Sequence, residues 1–337
     1  MNRQEDVMTN PETTPAPAPQ KLENAEIIDV IVNKRSGTVL RVGEAAVEQG
    51  LRESLGNRLG TLTFVEGKDI IPTVKQWTVD QAGKGRGLIL GGGDGSVLAA
   101  AEVFMNRDDI TLGVLPLGTH NLFARQLGFA ADFKDAAKQY ASLKTDKVDV
   151  GNVNGENFLV GLMIDQNSVD FYKARELHRD KKLVKAGAKF MATAFGVVAG
   201  KKATLDVSGT EHKGRVFIVT NNQFQPRANE GIMMPTPEGM KPVIENILAK
   251  GDSDGLLGFY AFKGGAANFT MLVPKLWDGT WPEAKSVKVQ TAPELVIQPG
   301  DKKGGALPII LDGEVKEAQY PLNVKILPKA LKVYKPA

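Results

Sequence analysis

Cysteine is absent from this 337-residue chain, which excludes a disulfide framework, a thiolate nucleophile and a zinc–thiolate centre. Histidine is almost absent: His120, His178 and His212 lie too far apart to form a local metal-ligand pair on one helix face, so any metal is expected to take oxygen ligands. An excess of one charge is also lacking, since 42 Lys+Arg against 39 Asp+Glu leave a formal +3. Whole-chain charge therefore argues neither for nor against a polyanion partner, and a basic surface must be local. Long apolar runs are missing too. Residues 190–200 form the longest uncharged apolar stretch mid-chain, far short of the roughly 20 residues needed to span a bilayer. Residues 1–26 open polar and acidic, without an apolar signal core. The expectation is a cytoplasmic protein that does not cross a membrane.

What is present is ordinary globular composition, 42% hydrophobic and 24% charged, enough for two packed cores. Residues 1–24 include a Pro- and Thr-rich run with few bulky apolar side chains and read as a flexible tail. Ordered structure is predicted from Ile27. A β-rich run ends at Asn33-Lys34-Arg35-Ser36-Gly37, strands follow at 61–65, 87–90 and 112–115, and Ile70, Val74 and Trp77 mark a helix at i, i+4, i+7. Further helices are predicted at 97–105 and after Asn121 and Asp132. Alternation of this kind implies a parallel sheet with helices on both faces. After residue 145 the texture changes: Asn154-Gly155 is a hairpin signal, and short strands near 205, 216, 256, 287, 295 and 309 are separated mostly by Gly- or Pro-bearing loops. The fold class expected is α/β, a parallel-sheet domain followed by a mainly antiparallel β-sandwich.

Two loops stand where open parallel sheets bind ligands, at the carboxyl ends of strands. The first is Gly91-Gly92-Gly93-Asp94-Gly95-Ser96. Its glycines are expected to turn with positive φ and to bring backbone close to a ligand, with a helix amino end pointing N–H groups at it, a combination suited to phosphate. It is not a Walker A loop, and Leu98 takes the third glycine position of a dinucleotide fingerprint. Asp94 either caps the helix or meets phosphate through a divalent cation, expected to be Mg2+. The second loop, Leu-Pro-Leu-Gly-Thr-His-Asn over 115–121, offers Thr119 and Asn121 as hydrogen-bonding groups, with Asn121 capping the next helix as the plainer role.

Asn33 with Ser36-Gly37, the Gly-Gly-Gly-Asp-Gly-Ser loop, the Leu-Pro-Leu-Gly-Thr-His-Asn-Leu-Phe-Ala-Arg run, residues 148–155 and Leu311-Asp312-Gly313-Glu314 occur in an order that resembles the diacylglycerol kinase catalytic-domain family. The likeness extends over roughly 27–326, dense at first and patchy later. It implies an ATP-binding domain over 25–146, a β-sandwich lipid domain over 147–326 with a helical insertion at 170–200, and a C-terminal tail at 327–337. It also implies ATP held by Asn33, Ser36, Gly37, Gly91, Gly92, Gly93, Asp94, Gly95, Ser96, Thr119 and Asn121, and Glu314 as the base that deprotonates a lipid hydroxyl. By the same resemblance, Asp254 with the carbonyls of Gly251 and Leu256 would hold a structural Mg2+; a hairpin turn without metal fits that segment equally. Without the resemblance, Asp312-Gly313-Glu314 is an acidic β-turn.

The chain departs from the family at Lys34, Ser96, 97–99, Leu122 and most of all 159–169. Gly251, Ser253 and Gly255 spell a hydrolase pattern, but no histidine follows His212. NAD kinase shares a Gly-Gly-Asp-Gly loop and is the enzymatic alternative, opposed by the Gly-Thr-His-Asn-Leu-Phe-Ala-Arg run. A binding protein of the same fold without turnover is the other, opposed by Asp94 and Glu314. The partner expected is a lipid at the inner membrane surface, reached peripherally through the basic segment 170–202, for which a solvated helix face is the plain alternative. No nucleic acid is expected, and a homodimer is compatible with the chain.

Overall fold

The computed structural model describes residues 27–81, 83–118, 121–164, 202–223, 228–236, 239–244, 253–265, 267–268, 271–272, 275, 280–300 and 306–337. The tail at 1–24, the helical and basic segment at 170–202 apart from Lys202, Thr119, His120 and Gly251 lie outside them.

β1 (Ile27–Asn33) is apolar on both faces apart from Asp29 and its last residue, Asn33, as suits a central parallel strand. It lies between β2 (Leu59–Val65) and β3 (Arg86–Gly92), parallel to both, and β3 pairs in parallel with β4 (Leu112–Pro116). Helices α1 (Gly37–Val42), α2 (Glu44–Leu55), α3 (Ile70–Gln81), α4 (Asp94–Phe104), α5 (Leu122–Gln126) and α6 (Phe133–Gln139) connect and cover these strands. The periodicity at Ile70 and Val74 becomes the buried stripe of α3, while α4 starts three residues earlier than the apolar pattern suggests. The aspartate of the glycine-rich loop is thus already helical. At the opposite, amino-terminal edge of the sheet, the buried Asp29 carboxylate accepts from Thr61 N, Trp77 Nε1 and Arg86 Nη1. That constellation closes the sheet bottom and stands apart from the loops.

The strand order β2-β1-β3-β4 reverses direction between β1 and β3. The crevice at that reversal, outside the carboxyl ends, is where such sheets bind ligands.

The second half is built from β5 (Leu143–Val153), β6 (Glu156–Phe158), β7 (Gly161–Ile164), β8 (Ala203–Val207), β9 (Thr210–Gly214), β10 (Val216–Thr220), β11 (Ala228–Thr236), β12 (Gly239–Ile244), β13 (Leu257–Phe262), β14 (Val287–Ala292), β15 (Glu294–Pro299), β16 (Ala306–Leu311), β17 (Glu314–Gln319) and β18 (Leu322–Pro336). Asn154 and Gly155 take φ of 50° and 92° and turn β5 into β6, the hairpin their sequence announces. β14-β13-β10-β7-β16-β17 form an antiparallel six-stranded sheet, and β11-β12 form a separate hairpin. The fold is mixed α/β, with a parallel-rich amino-terminal sheet and a distinct antiparallel sheet. A core including Phe158, Leu162, Phe217, Phe259, Ile297 and Val324 draws on both large sheets.

Residues 327–337 are not a tail. β18 pairs antiparallel with β15 and with most of β5, and Val333 pairs in parallel with Leu112 of β4. The carboxyl-terminal strand thus joins the two halves in one ten-stranded sheet. Its Lys-rich alternation suggests an exposed end, but Leu331, Val333 and Tyr334 are fully buried, and Lys332 and Lys335 beside them donate to Asp108 O and Asp146 Oδ2. Leu331→Ala should therefore cost about 2–5 kcal/mol, as for a core leucine, read as a lower urea midpoint. A loss below about 0.5 kcal/mol, the range of ordinary surface positions, would contradict this placement.

Candidate active site

Three loops meet at the crevice. After β1, Asn33 Nδ2 donates to Ser96 Oγ at 2.9 Å, tying the first loop to the glycine-rich one across the point of reversal. Asn33 Oδ1 accepts from Arg35 N, and its carbonyl accepts from Ser36 N and Oγ. Gly37 opens α1, whose Thr38 N–H donates to Leu117 O and links that turn to the loop after β4.

None of Gly91, Gly92, Gly93 and Gly95 adopts positive φ, so the expectation of left-handed turning there does not hold. What they supply is closeness. A methyl carbon on Gly91 would lie 2.9 Å from Leu117 Cδ1, on Gly92 2.7 Å from Ser96 Cβ, and on Gly95 2.6 Å from Glu314 Oε1. One on Gly118 would run into the Gly93 backbone. The two loops therefore pack backbone to backbone, and Leu117 and Gly118 both donate N–H to Gly92 O at 3.1 Å. The result is a surface of main chain at the amino end of the 11-residue α4, a fit for phosphate oxygens.

Asp94, first residue of α4, accepts the Phe123 N–H at 3.1 Å and so joins that helix to α5. Burial pulls the Arg125 guanidinium below its ordinary value, against the opposing attraction of the Asp94 carboxylate. Asn121 has left-handed backbone, φ 51°, and its carbonyl accepts from Arg125 N as helix cap. Its side chain does not cap. It closes the loop on Gly118, accepting from Gly118 N at 2.8 Å and donating to Gly118 O at 3.1 Å. Asn121 thus shapes the loop more directly than it offers groups to a ligand.

Glu314 arrives from far along the chain. It opens β17 after the two-residue turn Asp312-Gly313, with φ of 45° and 89°. Its exposed carboxylate stands against the α-carbon of Gly95. Asp312 is buried beside it, accepting from Leu159 N at 2.6 Å and from Val160 N and Gly161 N at 2.9 Å each. Sequence reading treats Asp312 only as a turn residue; the Asp-Gly pair signals the turn but not the three donors. Burial pushes its carboxyl up to about 6, the Asp94 charge adds to the rise, and the three N–H groups oppose it.

In the folded state this carboxyl binds its proton more tightly than in the unfolded chain, where its value is about 3.9. Its contribution to stability is therefore greatest at low pH and declines as pH rises through about 4 to 6. Relative to Asp312→Asn, which does not titrate, the native protein should gain thermal stability when pH is lowered from 7.5 to 5.5. A difference that ignores pH would refute this.

The Asp254 segment is occupied differently. Asp254 Oδ1 accepts from Leu256 N at 2.9 Å and Oδ2 from Gln223 Nε2 at 3.1 Å, so its carboxylate ties a loop. Neighbouring Gly255 donates N–H to the buried Asp149. Among the described residues no three His, Asp or Glu side chains cluster as a preformed metal site. No helix among them is long and apolar enough to cross a membrane.

Residues 28–153, which carry all of the loops except the Glu314 hairpin, match the family described as diacylglycerol kinase catalytic domain. Over these residues the chain is similar to the diacylglycerol kinase catalytic-domain family. It is 27% identical over 185 residues to a Pseudomonas aeruginosa protein named "Probable lipid kinase YegS-like", covering 49% of this chain and 60% of that relative. A Staphylococcus carnosus "Putative lipid kinase" is 24% identical over 320 residues, 88% of this chain and 95% of the relative. Among solved structures, "a putative diacylglycerol kinase from Bacillus anthracis str. Sterne" superposes with a TM-score of 0.65 at 18% identity over 91% of this chain and 96% of that one, a likeness of fold. The matched residues contribute the backbone cradle and Asp94, and Glu314 reaches the same crevice from outside the match.

Proposed function

We propose that this protein is an ATP- and Mg2+-dependent lipid kinase that transfers the γ-phosphoryl group of ATP to the hydroxyl of a diacylglycerol-like lipid. The observation that carries this reading is the approach of the Glu314 carboxylate to Gly95, which sets a candidate base beside a candidate phosphate cradle. Gly92, Gly93, Gly95 and Ser96 form the cradle for the nucleotide phosphates, with Asn33 and Asn121 fixing its two flanking loops. A bound Mg2+ would neutralise phosphate charge as it shifts toward the leaving oxygen. Asp94 is the carboxylate of the cradle suited to meet that cation, which keeps most of its ligands as water and phosphate oxygens and so needs no cage of protein carboxylates. Glu314, exposed at the mouth, takes the proton of the lipid hydroxyl as its oxygen bonds to phosphorus.

Access to lipid is proposed to be peripheral, through the basic segment 170–202, on the strength of its sequence alone. The test is incubation of the purified chain with γ-labelled ATP, Mg2+ and vesicles of diacylglycerol, phosphatidylglycerol or sphingoid bases, followed by identification of the labelled product. Label in no lipid, from protein that binds ATP, would overturn the reading.

Gly95→Ala supplies a second check. Its methyl group would stand 2.6 Å from Glu314 Oε1, an atom at the end of a flexible side chain. The carboxylate should move aside, with turnover falling about 10- to 100-fold through misplacement of the base while thermal stability changes little. Unchanged turnover would separate Glu314 from the chemistry.

A further inference from the structure

Asp312 is an expensive residue for a turn. Its first-position φ of 45° suits Asn at least as well, and its carboxylate is buried. Three N–H donors on consecutive residues, Leu159, Val160 and Gly161, converge on its two oxygens. A carboxylate can accept all three. An Asn side chain offers a single acceptor oxygen and would turn an NH2 group toward at least one donor.

The segment that Asp312 grips is itself fixed. Asn221 N donates to Val160 O and Asn221 Nδ2 to Leu159 O, while Asp312 N donates to Gly161 O at 2.9 Å. Leu159 and Val160 are buried in the same apolar core as Leu90 of β3 and Val97 of α4, which carry the glycine-rich loop. A continuous path of packing and hydrogen bonds therefore runs from beneath that loop, through 159–161, to the hairpin tip that presents Glu314 two residues later. The 159–161 part of the segment where the chain departs most from the family is thus the seat of this grip.

We infer that Asp312 is a positioning residue, whose three-fold grip on the backbone of 159–161 holds the β16–β17 hairpin so that Glu314 stays against the Gly95 end of the phosphate cradle. This rests on the proposed lipid-kinase function.

The experiment compares the full chain with Asp312→Asn, Glu314→Gln and the double variant, using labelled ATP, Mg2+ and vesicles of whichever lipid the native protein phosphorylates. Asp312→Asn should lower kcat about tenfold or more, with KM for ATP nearly unchanged, and should add nothing in the Glu314→Gln background, as expected for residues acting through one another. Equal loss in both backgrounds, or unchanged kcat per folded molecule, would overturn the inference. Hydrogen exchange in peptides covering 159–161 and 312–319 provides an arm independent of turnover, with faster exchange expected in both. Acceleration confined to 159–161 would show that the hairpin is held by something else. If the native protein phosphorylates no lipid, the proposed function falls while the exchange arm still decides whether Asp312 holds the hairpin.

Discussion

Asp94→Asn is expected to lower phosphoryl transfer at least about 10²- to 10³-fold, the scale on which a charged or polar group acting on transition-state charge contributes. The folded state should survive. Asn is nearly isosteric, its amide oxygen can still accept the Phe123 N–H that ties α4 to α5, and stability should shift by no more than about 1 kcal/mol, the worth of one ordinary hydrogen bond. What is lost is the negative charge beside Arg125 and at the start of the phosphate cradle. Steady-state turnover per folded molecule, with thermal melting as control, makes the measurement. Full activity in the folded variant would mean that Asp94 only joins two helices.

Glu314→Gln is the complementary case. Removal of a general base costs typically about 10² to 10⁴ in rate, and because Glu314 acts on the acceptor, ATP affinity should stay near its native value. The exposed side chain leaves little packing to lose. Titration of ATP binding alongside turnover separates the roles: affinity that collapses while bound enzyme still phosphorylates lipid would assign Glu314 to the nucleotide. Opposite results for the two variants would also distinguish a kinase from a binding protein of the same fold, which should retain ligand affinity and show no rate to lose.

The first half of the fold is legible along the chain because its signals are local. The apolar run of β1, the periodicity of α3 and the glycines before α4 each reflect interactions within one element or between neighbours. The Asn154-Gly155 hairpin is legible for the same reason, since two residues with left-handed backbone determine the turn by themselves. β18 is not, because its lysines alternate with residues whose burial depends on β4, β5 and β15, the first two of them about 180 to 220 positions earlier, and nothing nearby records that pairing.

The candidate site divides in the same way. By itself the sequence specifies a side-chain-poor, acid-bearing loop leading into a helix amino end, and only the structure puts that acid in the first helical turn. The sequence misstates why the glycines are there, since none of them has positive φ, and it is crowding of Gly91 by Leu117 and of Gly92 by Ser96 that leaves little room for side chains. It places Glu314 through resemblance alone. Only tertiary structure brings that carboxylate to Gly95 and gives Asp312 its three donors, because both depend on a β16–β17 hairpin docked more than 150 residues from its partner segment. Local chemistry fixes what a loop can bind; which acid faces it is decided by packing that no short window of sequence contains.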